Sequence, residues 1–257
     1  MRDGFAIEGD WRNDVIVVHL AMDGLGSRDF ASLLQILDDA EQEHAARFHF
    51  DADRHSYIAA HGLLRLLIGA WTGRPAAQLA FNAGPYGKPG LVRGGAAFNL
   101  SHTRGMVAVA ISPQGDVGVD VEQSGASRDP ELDIADRWFS PDEVAQIAAE
   151  VEDADKRERF MRIWNLKEAV IKATGRGLSQ ELTGFTVTPP APGTEDAGLV
   201  CHEAWLRECG QWRLSQWQVD DHLIAAASLS GPGRPIRLLQ MTGDKLATLA
   251  DGVPVLA

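Results

Sequence analysis

The order of a strand, two helices and several strands occurs twice along this chain, once before about residue 112 and once after it. The first copy opens with the apolar run Val15 to Leu20, and helical spacing follows from about Asp29 to Arg47 and from Asp53 to Gly73. The second copy opens at Val117 and contains a long helical stretch from about Asp155 to Thr174. Units that mix helices and strands in this way predict an α+β fold with two lobes side by side.

The boundary between the lobes is expected near Ser112, which gives an N-terminal lobe of residues 1–112 and a C-terminal lobe of residues 113–257. The predicted strands after the first helices are Leu79–Asn82, Ala96–Asn99, Met106–Ser112, Val117–Val121, Phe185–Thr188, Val200–Leu206, Trp212–Val219 and Leu223–Leu229. The two halves share this order of elements without a visible repeat of sequence.

The charge balance of 24 basic against 36 acidic residues gives a formal net charge of -12. It disfavours non-specific nucleic-acid binding, which depends on neutralising phosphates, but a local basic pocket can still hold a small anion. The start from Met1 to Phe5 has no apolar run behind it, and no segment approaches the roughly 20 apolar residues of a membrane span. With only Cys201 and Cys209, we expect a reduced, cytoplasmic protein.

Two carboxylates lie in the strand pattern Gly118-Val119-Asp120-Val121-Glu122. Side chains two apart on a strand point to the same face, so Asp120 and Glu122 form a pair. Such oxygen ligands suit Mg²⁺, which usually completes its shell with waters and substrate phosphates. An acidic solvent face is the alternative, and for this pattern alone it is the commoner case.

A second polar pair, Glu168 and Lys172, lies four residues apart on the long predicted helix. The apolar residues of that helix form a separate face: Ile163, Leu166, Val170 and Ala173. An exposed Glu–Lys pair would stabilise a helix by only a few tenths of a kcal/mol. Trp164, one turn before Glu168, makes a fully solvated face less plausible and indicates that the pair lines a cleft.

A third group of polar residues follows a short strand at Phe98-Asn99-Leu100-Ser101-His102-Thr103. His102 could donate to a phosphate or could cap the turn. The sequence lacks the Gly-x-Ser-x-Gly pattern of a hydrolase nucleophile. Arg47, Arg54 and Lys88 are further cationic candidates, although each taken singly is more often a surface residue, and His61 fits a packed histidine on an apolar helix stripe.

Taken in order, these segments resemble the Sfp-type 4′-phosphopantetheinyl transferases, the family with a Trp and Lys-Glu-Ala motif. The four matching segments are Tyr86 to Pro89, Phe98 to His102, Gly118 to Glu122 and Trp164 to Lys172. The helix start at Phe139-Ser140 and the exit from Gly175 to Leu178 also match. The resemblance covers roughly Arg47 to Phe185, and its last two motifs together are specific.

The resemblance implies two similar lobes related by pseudo-twofold symmetry, each a small antiparallel sheet packed on helices. Coenzyme A would bind in the cleft between them, with Mg²⁺ on its pyrophosphate and Asp120, Glu122 and Glu168 as metal ligands. The first lobe would form the nucleotide side, and the second would hold the metal and the catalytic groups.

The residues at the family's nucleotide contacts are Lys88, Ser101 and His102, with Arg47 and Arg54 near its phosphate-binding region. One departure is that the family often has lysines before the Arg47 position, whereas residues 41–44 read Glu-Gln-Glu-His. The resemblance therefore leaves open which side chains hold the 3′-phosphate.

The implied reaction is transfer of phosphopantetheine to a serine of an apo acyl or peptidyl carrier protein, as in a holo-acyl-carrier-protein synthase. Glu168 would take the serine proton, directly or through a water, and Lys172 would neutralise or protonate the leaving phosphate. We expect a monomer that binds neither nucleic acid nor membrane. A metal-dependent nuclease and a non-catalytic nucleotide-binding module are the alternatives. The helical placement of Glu168 and Lys172 disfavours the first, and their presence together disfavours the second.

Overall fold

The computed structural model describes residues 13–124, 133–204, 206, 211–229, 231 and 234–250. The chain start from Met1 to Phe5, Cys209 and part of the predicted strand Val200–Leu206 lie outside these residues. Within the described ranges, no helix combines the length and apolar character needed to span a bilayer.

The elements confirm the α+β class, with mainly antiparallel sheets and helices on their outer faces. In chain order they are β1 (Val15–Ala21), α1 (Ser27–Ile36), α2 (Asp39–Ala46), α3 (Asp51–Thr72), β2 (Phe81–Ala83), β3 (Pro89–Leu91), β4 (Ala97–Thr103), β5 (Met106–Ser112), β6 (Val117–Gln123), α4 (Asp133–Trp138), α5 (Pro141–Ala148), α6 (Asp153–Thr174), β7 (Phe185–Thr188), β8 (Asp196–Cys201), β9 (Arg213–Val219), β10 (His222–Ser228), β11 (Ile236–Met241) and α7 (Gly243–Ala250).

Two sheets lie face to face between the long helices α3 and α6. The first has the strand order β11-β1-β5-β4 and the second the order β6-β10-β9-β8-β7, while β2 and β3 form a separate hairpin. The inner faces share one apolar core that includes Val17, Ala108, Val119 and Ile224, and each outer face packs on its own helices. The cleft expected between two lobes would therefore lie at the border of two packed sheets.

The predicted helix from Asp29 to Arg47 is two helices in the structure, α1 and α2. The break occurs because Asp38 caps a new helix: its Oδ1 accepts a hydrogen bond from the Glu41 amide at 2.9 Å, and Glu41 Oε2 accepts one from the Asp38 amide at 3.0 Å. The helix start expected at Phe139-Ser140 is confirmed, because an equivalent capping box at Ser140 begins α5.

The tail of the chain returns to the first lobe. Strand β11 pairs in parallel with β1, from Val15 opposite Ile236 to Leu20 opposite Met241, and α7 packs against α1 and α3. The sequence division had placed all of residues 113–257 in the second lobe. Neither β11 nor α7 was predicted from the sequence. Pairing with a parallel strand so far away along the chain leaves no local sequence pattern.

The two lobes repeat one another with a constant spacing along the chain. The number of residues from Val15, where β1 begins, to Val117, where β6 begins, equals the number from Asp51, where α3 begins, to Asp153, where α6 begins. Both long helices have 22 residues, and both end at a glycine in the left-handed conformation, Gly73 with φ +67° and Gly175 with φ +68°. This repeat accounts for the pseudo-twofold arrangement.

Each long helix also buries one cation at the same position. Arg65 of α3 bonds Glu41 and caps the carbonyls of Ala76 and Leu79, whereas Lys167 of α6 bonds Glu143 and caps the carbonyls of Leu182 and Phe185. Both cations are fully buried. Each glutamate is the N3 residue of a capping box, so each cation ties its long helix to an earlier helix of the same lobe.

Candidate active site

The outer face of β6 lies directly on α6 at Gly118. A Cβ atom added there would lie 2.1 Å from the Ala169 carbonyl oxygen and 2.3 Å from the Ala173 amide nitrogen. Only a residue without a side chain allows this approach. Because side chains alternate along a strand, Asp120 and Glu122 lie on the same face as Gly118 and are brought to α6.

Asp120 is buried and holds the predicted polar residues together. Its Oδ1 accepts a hydrogen bond from the Lys172 ammonium at 2.6 Å and one from the Ser101 hydroxyl at 3.2 Å. Its Oδ2 accepts one from the Asn165 amide at 2.9 Å. The carboxylate therefore joins β6, α6 and the first lobe in one network.

The first lobe enters the site through the side chains of β4. Ser101 Oγ accepts a hydrogen bond from the Val121 amide at 3.3 Å, and Asn99 Oδ1 accepts one from the Val119 amide at 2.9 Å. These two side chains bond backbone amides of β6, whose other edge pairs with β10. The Phe-Asn-x-Ser segment thus fixes the edge of the first lobe's sheet against β6 of the second lobe.

Three carboxyl groups, those of Asp120, Glu122 and Glu168, lie near the ammonium of Lys172. Burial, and then the neighbouring Asp120, raise the pKa of Glu122 to about 7, with Lys172 opposing the change. Trp164 makes a side-chain hydrogen bond to Glu122, which lowers that pKa. Burial and Asp120 likewise raise the pKa of Glu168. The negative charge exceeds what Lys172 alone neutralises.

The donor set of this cluster fits a divalent cation. Within the described residues, no group of three His, Cys, Asp or Glu side chains is arranged to hold a metal ion by itself. Mg²⁺ does not require such a cage, because it usually binds through one or two carboxylates and fills its shell with waters and phosphate oxygens. Carboxylate oxygens in excess of the local positive charge are the ligands it prefers.

The histidine predicted for nucleotide binding lies on the opposite face of β4, towards α3. Desolvation by its surroundings, followed by the nearby His61 and Lys172, lowers the pKa of His102 although much of the residue is exposed. The structure places His61, predicted as a packed core histidine, partly exposed, stacked on Tyr57 and bonded to Glu41 at 3.1 Å.

The remaining cationic candidates lie apart from Asp120. Arg47 and Arg54 form ion pairs with Glu43 at 3.7 Å and with Asp51 at 2.7 Å, each within a few residues along the chain. The Lys88 ammonium donates to the carbonyls of Val117 in β6 and Ala173 in α6, and it pairs with Asp116 rather than with Asp120. A nucleotide role for these three side chains stays a prediction.

Sequence reasoning missed the amide side chains that support Asp120. Asn165 is fully buried, and its Oδ1 accepts from Gln216 of β9 at 3.1 Å, which also donates to the Arg162 carbonyl. The one available indication was an asparagine inside a helix, where it is unfavourable unless its amide finds a partner. Its partner lies on a strand far away in sequence, so no spacing rule reveals it.

Comparison with known proteins relates most of the chain to 4′-phosphopantetheinyl transferases. Residues 116–227 match the 4′-phosphopantetheinyl transferase superfamily, and residues 26–114 match the 4′-phosphopantetheinyl transferase N-terminal family. The chain is 31% identical to the 4′-phosphopantetheinyl transferase HetI of Nostoc over 78% of its own length and 81% of that protein.

Two further relatives are more distant. The identity is 29% to the 4′-phosphopantetheinyl transferase Sfp of Bacillus subtilis, over 63% of this chain and 71% of that protein. It is 26% to the mouse L-aminoadipate-semialdehyde dehydrogenase-phosphopantetheinyl transferase, over 77% and 69%. The two-lobed fold and the cluster of carboxylates with one lysine agree with these matches. The chain belongs to the 4′-phosphopantetheinyl transferase superfamily, among its Sfp-type members.

Proposed function

We propose that this chain transfers 4′-phosphopantetheine from coenzyme A to a serine of an apo acyl or peptidyl carrier protein. The products are the holo-carrier protein and 3′,5′-ADP. The observation that carries the proposal is the cluster of Asp120, Glu122, Glu168 and Lys172 at the border of the two lobes. Membership of the superfamily supports the same activity.

The serine oxygen forms a bond to the β-phosphorus of coenzyme A, and the bond from that phosphorus to the bridging oxygen breaks. The serine proton passes to Glu168, directly or through a water; its raised pKa suits this role. Negative charge develops on the departing 3′,5′-ADP. Lys172, held 2.6 Å from Asp120, offers an ammonium that stabilises this charge.

We propose Asp120, Glu122 and Glu168 as the residues that would hold Mg²⁺. When bound, the ion would supply charge neutralisation on the pyrophosphate oxygens. The protein itself supplies the alignment: Asn165 and Ser101 orient Asp120, and Trp164 bonds Glu122. Ser101 and His102 are proposed to contact the nucleotide end of the donor.

The chain is further proposed to act as a monomer, because a single chain supplies both lobes that border the cluster. Side chains from β4 of the first lobe bond β6 of the second. The class of carrier, whether from fatty-acid, polyketide or nonribosomal-peptide synthesis, is the part of the proposal that the test must decide.

The test is incubation of the purified chain with coenzyme A and a panel of apo-carrier proteins, followed by mass spectrometry of each carrier. We expect a mass gain equal to one phosphopantetheine on the carrier serine when Mg²⁺ is present, and no mass gain when EDTA is in excess. D120A should fold, with a cooperative melting transition, and should not transfer. Transfer in excess EDTA would contradict the metal assignment, and no mass gain on any carrier would contradict the function.

A further inference from the structure

Lys88 connects the first lobe to two elements of the second. It is the residue before β3, at the end of a turn in which the Gly84 amide donates to the Lys88 carbonyl at 2.8 Å. Its ammonium donates to the Val117 carbonyl at 3.1 Å and to the Ala173 carbonyl at 2.7 Å, and it lies 3.5 Å from the Asp116 carboxylate. An ammonium has three N–H donors, so these three acceptors satisfy it.

The two carbonyls belong to the elements that carry the catalytic cluster. Val117 is the first residue of β6, which holds Asp120 and Glu122; Ala173 follows Lys172 at the end of α6. A cation at the carboxyl end of a helix interacts favourably with the helix dipole and with carbonyls that have no partner within the helix. Lys88 performs this role for α6 from the other lobe.

The contact lies beside the closest approach of the two elements. Gly118 of β6 touches Ala169 and Ala173 of α6, and the stem of Lys88 lies against Gly175, where an added Cβ would be 3.0 Å from Lys88 Cδ. One ammonium therefore joins the start of β6 to the end of α6 next to their point of contact. A shift between these elements would change the distance between Asp120 and Lys172.

We propose that Lys88 is a positioning residue that fixes α6 against β6, rather than a direct ligand of the nucleotide. The inference deepens the proposed transferase activity and rests on it for its kinetic part. A direct phosphate contact would require the ammonium to leave two carbonyls in a part-buried contact and the exposed Asp116 carboxylate. The sequence resemblance had assigned this lysine to the nucleotide.

The kinetic test compares K88M, which keeps the stem without the ammonium, with the wild type. We expect kcat to fall on the order of 10- to 100-fold, with KM for coenzyme A within about twofold, because misplaced catalytic groups reduce turnover. K88R retains a cation that can bridge two carbonyls and should recover most of kcat. D116N, which alters only the half-exposed acceptor, should leave kcat within about twofold.

A second readout does not depend on activity. Amide hydrogen exchange in the last turn of α6, from Ile171 to Gly175, should accelerate about tenfold in K88M and stay unchanged in D116N, since the hydrogen bond from the Lys88 ammonium to the Ala173 carbonyl is lost only in the first. If K88M does not fold, K88Q, which keeps amide donors without charge, should show an intermediate effect in both assays.

Two results would overturn the positioning role. A raised KM for coenzyme A with kcat unchanged would make Lys88 a ground-state nucleotide contact. A lower melting temperature with normal kcat and normal exchange in the last turn of α6 would make it a general stabilising residue. If the wild type itself transfers nothing, the proposed function fails, and the exchange measurement still decides whether Lys88 holds α6.

Discussion

At the scale of single residues, the site depends on Asp120, a buried carboxylate of β6 whose partners lie on α6 and β4. Lys172 neutralises it, and Asn165 and Ser101 donate to its remaining lone pairs. Burying a charge without such partners would cost several kcal/mol. The same contacts fix the carboxylate in one orientation, so stability and alignment of the site have a common cause.

Removing the Lys172 ammonium tests its part in the reaction. In K172M we expect kcat to fall roughly 10²- to 10³-fold, with a smaller rise in KM for coenzyme A, because the charge it stabilises develops in the transition state. Steady-state kinetics with saturating carrier protein measure both constants. K245M, which removes an exposed lysine on α7, is the matched control and should behave like the wild type. A change confined to KM would reduce Lys172 to a ground-state phosphate contact.

Periodicity made part of this site predictable. Alternation along a strand placed Asp120 and Glu122 on one face, and the spacing of a helix placed Glu168 and Lys172 together. Nothing in the local sequence places Asn165 beside Asp120 or Gln216 beside Asn165, because these contacts depend on how β6, β9 and α6 pack. The roles given to the predicted site residues remain predictions.

At the scale of elements, the two halves share a framework and differ in chemistry. The constant spacing places Val18 and Leu20 of β1 at the positions of Asp120 and Glu122, and Leu66 and Ala70 of α3 at those of Glu168 and Lys172. These apolar residues belong to the first lobe's core or lie beside it. The first copy therefore keeps the strand, the helix and the buried cation, but not the carboxylate cluster.

The buried cation of the second copy should be essential for stability. K167M would leave Glu143 without its cation in a fully buried place, so we expect a loss of about 3–5 kcal/mol in the free energy of unfolding. K156M, which removes a partly exposed lysine from the first turn of the same helix, should lose no more than about 0.5 kcal/mol. Urea denaturation of both variants measures the difference. Equal, small losses would show that Lys167 does not stabilise the contact between α5 and α6.

The order of the predicted helices and strands indicated the repeat, whereas the residues of the two halves show no visible repeat. The two halves share a buried ion pair, Arg65 with Glu41 in the first and Lys167 with Glu143 in the second. The residues around these pairs differ between the halves. A capping residue, a glutamate and a cation at wide intervals do not form a motif until the fold brings them together. Strands β7 and β5 were predicted with the bounds they have, whereas β8 begins before the predicted strand.

At the scale of the whole molecule, the two lobes are joined by more than their shared apolar core. The tail places β11 beside β1, and the side chains of β4 bond the backbone of β6. Strand β11 thus adds a segment from the end of the chain to the first lobe's sheet, and the site takes side chains from both lobes. Local patterns could not show this, because the crossing strand pairs with the other end of the chain.

A complete cluster within one chain predicts activity that does not depend on association. Specific activity should stay constant across a dilution series, and size-exclusion chromatography of the active fraction should give the mass of one chain. A specific activity that falls with dilution, in step with dissociation of a dimer, would show that the site is shared between chains.

The most direct measurement of the central claim is a single-turnover experiment with the chain in excess over coenzyme A and an apo-carrier that accepts the group. Both products are quantified by mass spectrometry at each time point. We expect one equivalent of 3′,5′-ADP for each phosphopantetheine on the carrier serine, with the rate reduced at least about 100-fold in E168Q. Release of 3′,5′-ADP while the carrier remains unmodified, or transfer that proceeds at the same rate in E168Q, would contradict the account.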